Sequence, residues 1–214
     1  MIRVCMPELL DSLPHDHPDA IHNRRDLRII NRFLGNRGWF ARTLPSLMRG
    51  GERVLELGAG TGEMGLSLIG RGIPVDGLDL WPRPAAWPPG REWHQADLTK
   101  FDGYGAYPVV IANLILHQFK AEELAALGVR LRKSARVILG CEPKRSRLSQ
   151  ALIAAVAPVF GANHVTLHDS RVSIAAGFLG DELPGFLGLS PGEWEYSHAT
   201  TAIGSIRMTA VRKP

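Results

Sequence analysis

The stretch Val54-Leu55-Glu56-Leu57-Gly58-Ala59-Gly60-Thr61-Gly62 constrains this chain more than any other, because an apolar run carrying an acid passes directly into three alternate glycines. The pattern predicts a strand, a tight turn and the start of a helix. Glycines suit a backbone whose dihedrals other residues avoid, and they let a ligand lie almost on the main chain. Gly60-Thr61-Gly62-Glu63-Met64-Gly65 also fits G-x-G-x-x-G, in which a dinucleotide pyrophosphate sits at a helix start. Glu56 argues against a pyrophosphate. A carboxylate just before the glycines repels phosphate but can hold an ammonium group, so a nucleotide-like ligand with a cationic part is expected.

This segment resembles motif I of the class I S-adenosylmethionine-dependent methyltransferases, whose cofactor carries a sulfonium, an amino group and a carboxylate. The resemblance implies that Gly58, Gly60 and Gly62 pack against the amino-acid part of that cofactor. Pro74-Val75-Asp76-Gly77-Leu78-Asp79-Leu80 reads as a second buried strand. It ends in Asp79, about 20 residues after the glycines, where a ribose-binding acid is expected. Asp76 lies mid-strand, so Asp79 is preferred, with Leu80 beside it in the cofactor site. Trp93-His94-Gln95-Ala96-Asp97-Leu98 is similar to the family's third strand and its exit. There the resemblance implies that Asp97 contacts the adenine amino group and Leu98 packs on the ring.

A length of 214 residues suits one domain with a substantial core. Hydrophobic residues at 45% and charged residues at 21% are ordinary for a globular chain, and no apolar run reaches the length of a membrane span. Pro7, Asp11, Pro14 and Asp16 stand where a signal peptide needs an apolar core. With two cysteines, Cys5 and Cys141, no disulfide framework is indicated, and a cytoplasmic location is expected. The formal charge of +4 is concentrated early: Arg24, Arg25, Arg28, Arg32, Arg37, Arg42 and Arg49 stand almost without acids. Such a cluster could draw nucleic acid, an anionic membrane surface or an acidic substrate. A solvated helix face is preferred, because no aromatic interleaving or RNA-binding module accompanies it.

Helical periodicity predicts a helical prelude from about Asp19 to Met48, broken near Gly35-Asn36-Arg37-Gly38. Alternating strands and helices follow, which implies a parallel sheet with right-handed crossovers. Pro82, Pro84, Pro88 and Pro89 exclude a regular helix between Trp81 and Gly90, so an ordered loop is expected; Trp81 and Trp87 could pack against adenine or pin the loop to the core, and core packing is preferred. Glu193 to Ala199 and Ile203 to Val211 read as a terminal hairpin. The expected fold is therefore α/β and Rossmann-like: the class I methyltransferase fold, a mostly parallel seven-stranded sheet with a C-terminal antiparallel hairpin and an N-terminal helical cap. Residues 1–50 form the cap and 51–214 the cofactor-binding core, with substrate-side elements in 142–192.

Ligands of open α/β sheets lie beyond the carboxyl ends of the strands, which directs attention to the loops after the fourth and fifth. Asn113-Leu114-Ile115-Leu116-His117-Gln118-Phe119 is similar to N-x-x-L-H-H-F of small-molecule methyltransferases, with Gln118 in place of the second histidine. Asn113 is assigned to the cofactor site. His117 has the intrinsic pKa of a general base for an oxygen acceptor, and packing under the cofactor is its alternative role. Glu142 or Arg145 could bind substrate, and His168 with Asp169 could form an orienting pair. His15, His17, His94 and His198 lack metal-ligand spacing, so no metal site is expected. The segments 113–119 and 141–147 together resemble methyltransferases of bacterial polyketide and aromatic-lipid biosynthesis. That resemblance implies S-adenosylmethionine as cofactor, S-adenosylhomocysteine as product, and a hydroxylated aromatic or quinol-like acceptor. A nucleic-acid methyltransferase and a non-catalytic cofactor-binding module are the alternatives.

Overall fold

The computed structural model describes residues 1–14 and 16–214, and within them the alternating pattern becomes a seven-stranded sheet. Two helices come first: α1 (Pro18–Leu34) and α2 (Asn36–Leu47). Pro18 opens α1, and the His17 ring accepts from the Asp19 amide. Proline suits that place because its missing N–H would have no helical partner there. Gly35, with φ of 67°, ends α1 and turns the chain directly into α2.

The core then runs β1 (Val54–Leu57), α3 (Glu63–Ile69), β2 (Val75–Asp79), β3 (Trp93–Gln95) and β4 (Val109–Asn113). After these come α4 (Ala121–Ser134), β5 (Val137–Pro143), α5 (Arg147–Val156), α6 (His164–Ala176), α7 (Glu182–Phe186), β6 (Trp194–Thr200) and β7 (Ser205–Arg212). The strand order is β3-β2-β1-β4-β5-β7-β6; β7 pairs antiparallel with both β5 and β6, and the other pairs are parallel. All four residues of β1 are buried, as a strand with both faces covered requires.

Alternate side chains feed two cores. Leu55, Leu57, Val110 and Ile138 pack with Leu124 and Leu127 of α4 on one face. Val54, Val109 and Leu139 pack with Leu68 of α3 and with Phe40 and Leu44 of α2 on the other. Phe40 and Leu44 have no exposed surface, so each contributes about 1.5–3 kcal/mol by burial and ties α2 to the sheet.

The proline-rich segment between β2 and β3 is an ordered loop, as expected. Trp87 is buried in it, 5.0 Å from Trp93 in an edge-on contact, and donates to the Glu92 carbonyl. Trp81 departs from the expected core packing. It stands exposed beside Arg24, 5.2 Å from the guanidinium carbon, while Trp87 fills the space against Gly62 and Gly65.

Residues 1–13 form a strap that the helical-cap expectation did not contain. Arg3 donates to the carbonyls of His117, Phe119 and Ala176 and lies over the rings of Phe178 and Phe186. Cys5 is half-buried below it, its sulfur 3.6 Å from the Phe119 carbonyl oxygen. Farther along, the amides of Leu9 and Leu10 donate to Asp169 on α6. Among the described residues no helix is long and apolar enough to cross a membrane.

Candidate active site

In the sheet order β1 stands between β2 and β4, and the carboxyl ends of these strands open into one cavity of about 1380 Å³. A switch point of this kind is where α/β sheets bind ligands. Drug-sized pockets hold roughly 300–1,000 Å³, so the space exceeds what one such ligand fills.

The glycine loop forms one end. Gly58 has φ of 62°, and a Cβ there would come within 2.4 Å of Ile115, so both conformation and close approach require glycine. Gly60, with φ of 55°, has no heavy atom within 4 Å of the place a Cβ would take, and it faces the cavity. Gly62 precedes α3.

Glu56 lies under this loop, 3% exposed, and its Oε2 has no hydrogen-bond partner. Burial pushes its pKa up to about 8 against a smaller opposing pull from the Gly65 backbone; Asp79 adds to the rise and Arg37 offsets part of it. A buried carboxyl with one oxygen unpartnered is costly, and it is the sort of group a cationic ligand relieves. Asp79 ends β2 and accepts from the amides of Gly60 at 2.7 Å and Trp81 at 2.8 Å. A carboxylate has about four lone-pair sites, so two remain for a ligand. Asp76, its rival in the sequence, is fully buried and engaged with Arg53 and the Glu92 amide, in a structural role.

Asp97 follows β3, and its carboxyl is held below the usual range by hydrogen bonds from the Thr99 hydroxyl and amide. Leu98 is buried beside it, whereas Leu80 is 68% exposed; all three border the cavity. Asn113 ends β4 at the same cavity and accepts from the Asn36 side chain at 2.8 Å. Leu114, next in the chain, is the one non-glycine with positive φ among the described residues, 57°. Its amide bonds the Cys141 carbonyl, which holds the strained turn in place. Glu56, Gly58, Gly60, Asp79, Leu80, Asp97, Leu98 and Asn113 therefore all border one space.

The expected catalytic groups are placed differently. Glu142 is fully buried. One of its oxygens accepts from the amides of Ile115 and Leu116, the other from the His117 amide and, at 2.7 Å, from His117 Nδ1. Every lone pair of this carboxylate is therefore in use, and the expected substrate-binding role does not fit it. His117 is 3% exposed, with Nε2 3.5 Å from Glu8 of the strap. Burial favours the neutral ring, but the hydrogen bonds and charges of Glu142 and Glu8 outweigh it and push the pKa up to about 9. The two carboxylates thus favour the charged ring, which sets His117 apart from the near-neutral imidazole expected of a general base. His117 borders the cavity, whereas His168 is off the site. It contacts Asp169 at 3.0 Å, does not border the cavity, and its aspartate is occupied in docking the strap. Arg145 bonds the carbonyls of Met1 and Gly177 and the Glu182 carboxylate, so it too is structural. Of the other histidines, His94 bonds the Tyr107 hydroxyl and His198 bonds Asp181, while His15 lies outside the described residues.

The arginine cluster divides. Arg25 and Arg32 are exposed, as a solvated face predicts, but Arg24, Arg28 and Arg37 border the cavity. The sequence reading counted Arg37 with the solvated face and did not contain the strap. Arg37 follows Asn36 at the helix break, and a cation at a break beside a ligand loop was the available signal.

A seven-stranded sheet with this order, a reversed β7 and a glycine loop after β1 is the class I methyltransferase fold. Solved structures agree. The plantazolicin methyltransferase BpumL, in complex with SAH, has a TM-score of 0.73 at 11% identity, covering 96% of this chain and 93% of that one. The plantazolicin methyltransferase BamL, with a triazolic desmethylPZN analog and SAH, gives 0.74 at 10% over the same shares. Human N-acetylserotonin methyltransferase in complex with SAM gives 0.64 at 14%, over 95% of this chain and 61% of that one. At such identities the likeness is one of fold. No family model and no curated protein sequence matches the chain.

Proposed function

We propose that this protein is an S-adenosylmethionine-dependent methyltransferase acting on a small-molecule acceptor. One observation carries the reading: a buried glutamate with an unpartnered oxygen shares a single cavity with the glycine loop and with acids after β2 and β3. These residues match the chemistry of the cofactor part by part. Glu56 accepts from the amino group, Asp79 takes the ribose diol, Asp97 the adenine amino group, and Leu80 and Leu98 enclose the ring. When bound, S-adenosylmethionine supplies a methyl group on a positively charged sulfur. Neighbours of the same fold that are complexed with SAH or SAM support the choice of cofactor.

The other end of the cavity supports a small apolar acceptor. Leu148, Leu152 and Val156 form a stripe on α5 that borders the cavity, and no residue of that helix is buried. Phe33 of α1 packs against Phe160 at the cavity wall, with ring centroids 6.2 Å apart. An acceptor oxygen of a hydroxylated aromatic or quinol-like compound suits this lining. Since His117 is engaged, the protein contributes chiefly by alignment and by excluding water, effects that can be worth several kcal/mol. Binding and turnover test the reading together. Wild-type protein should bind S-adenosylhomocysteine and methylate members of an aromatic-hydroxyl panel. Asp79→Ala should lose charged hydrogen bonds worth about 1.5–3 kcal/mol, roughly ten-fold to a hundred-fold or more in affinity by calorimetry. Unchanged affinity in folded Asp79→Ala would remove the ribose assignment, and a preference for NAD would remove the reading.

A further inference from the structure

Resting on the cofactor reading above, we infer that Arg37 holds the carboxylate of the ligand's amino-acid end and completes, with Glu56, a clamp for a zwitterion. An α-amino acid carries its ammonium and its carboxylate on one carbon. A site that receives the ammonium at Glu56 therefore needs a cation within a few ångströms. The glycine loop is otherwise ringed by acids, with Glu56 below it, Asp79 bonded to Gly60, and Glu63 directly after Gly62.

Arg37 stands over this acidic ring. Its Nη2 donates to Glu63 Oε2 at 2.5 Å, and side chains of both residues border the cavity. That bond uses one of five N–H donors on a planar fork suited to carboxylates. Arg28 is the rival cation, but it is 3.6 Å from Glu63 and 57% exposed against 38% for Arg37. Arg37 is also the cation whose charge reaches Glu56 and offsets part of the rise in its pKa. Position explains the rest. Arg37 is the second residue of α2, and the buried Phe40 and Leu44 one and two turns later fix that helix to the sheet.

The test compares two ligands that differ only in the part Arg37 is said to touch. S-adenosylhomocysteine carries the amino-acid end; 5′-deoxy-5′-methylthioadenosine keeps the nucleoside and sulfur without it. Calorimetric titration of Arg37→Gln should show ten-fold to a hundred-fold weaker binding of the first and binding of the second within about two-fold of wild type. Arg37→Lys should fall between, retaining the charge but not the fork. Glu63→Gln frees the fork and should leave S-adenosylhomocysteine affinity equal or higher. Equal weakening of both ligands by Arg37→Gln, matched by Glu63→Gln, would mean that Arg37 only braces the loop. No change for either ligand would overturn the inference while leaving the cofactor reading intact. A wild-type protein that binds neither ligand would overturn both.

Discussion

Two buried glutamates flank β4, and they are treated in opposite ways. Glu56 on β1 has an oxygen with no partner and a pKa pushed up to about 8, whereas Glu142 on β5 is saturated by three amides and an imidazole. One end of the cavity holds an unsatisfied group at a cost to the folded chain. Glu142, away from that cavity, spends its charge on holding a turn together. Burial alone therefore does not mark a functional acid; the state of its lone pairs does.

The largest effect should come from breaking the saturated side. Glu142→Gln replaces an acceptor with an amide whose NH2 faces amide donors, and it leaves the His117 imidazolium with Glu8 alone. Losing one partner of a buried pair costs about 3–5 kcal/mol, and the remaining Glu8 favours the lower figure. A shifted urea midpoint measures it. Because the folded pKa of His117 is about 9, above the ordinary 6.5, its contribution is complete below pH 6.5 and lost as pH rises through 9. Wild-type stability should decline across that window, and the decline should shrink in Glu142→Gln.

The unsatisfied side should respond to pH through binding. Glu56 is protonated in the empty protein below about pH 8, with Asp79 and Arg37 acting on it from either side. Accepting an ammonium requires the carboxylate, so binding of S-adenosylhomocysteine at pH 7 should release a proton. Its affinity should rise up to ten-fold per pH unit as pH approaches 8. Calorimetry in buffers of different ionisation enthalpy reads the proton directly. Glu56→Gln should abolish the release and weaken binding, yet leave the empty protein as stable as wild type or more so. The smallest effect belongs to the exposed face of α1. Joint replacement of Arg25 and Arg32 by Gln should change the melting behaviour by no more than about 0.5 kcal/mol and leave cofactor affinity alone.

The same contrast governs what could be read in the sequence. Glu56, the glycines, Asp79 and Asp97 sit where local patterns change, at strand ends beside turns, so their places follow from apolar runs and breakers. The loop from Trp81 to Gly90 was equally legible because four prolines forbid a helix. Glu142 was visible as an acid leaving a strand, but the three amides that saturate it come from residues 115–117. His117 was read from its ordinary pKa, which its contacts with Glu142 and with Glu8, more than a hundred residues away in the chain, push upward. The strap carries no periodicity, and Arg3 acts through carbonyls at 117, 119 and 176. Nothing local announces such contacts.

The placement of Cys5 gives the strap a reporter of its own. Cys141 is buried in β5, and that burial pushes its thiol up to about 12, which makes it a slow target for alkylating reagents. Cys5 lies half-buried against the carbonyls of His117 and Phe119, so a reagent gains full access as the strap lifts. Labelling kinetics of the unaltered protein thus separate strap movement from global unfolding, which alone exposes the second thiol. A ligand that closes the cavity under Glu8 and Leu10 should protect the first thiol without touching it.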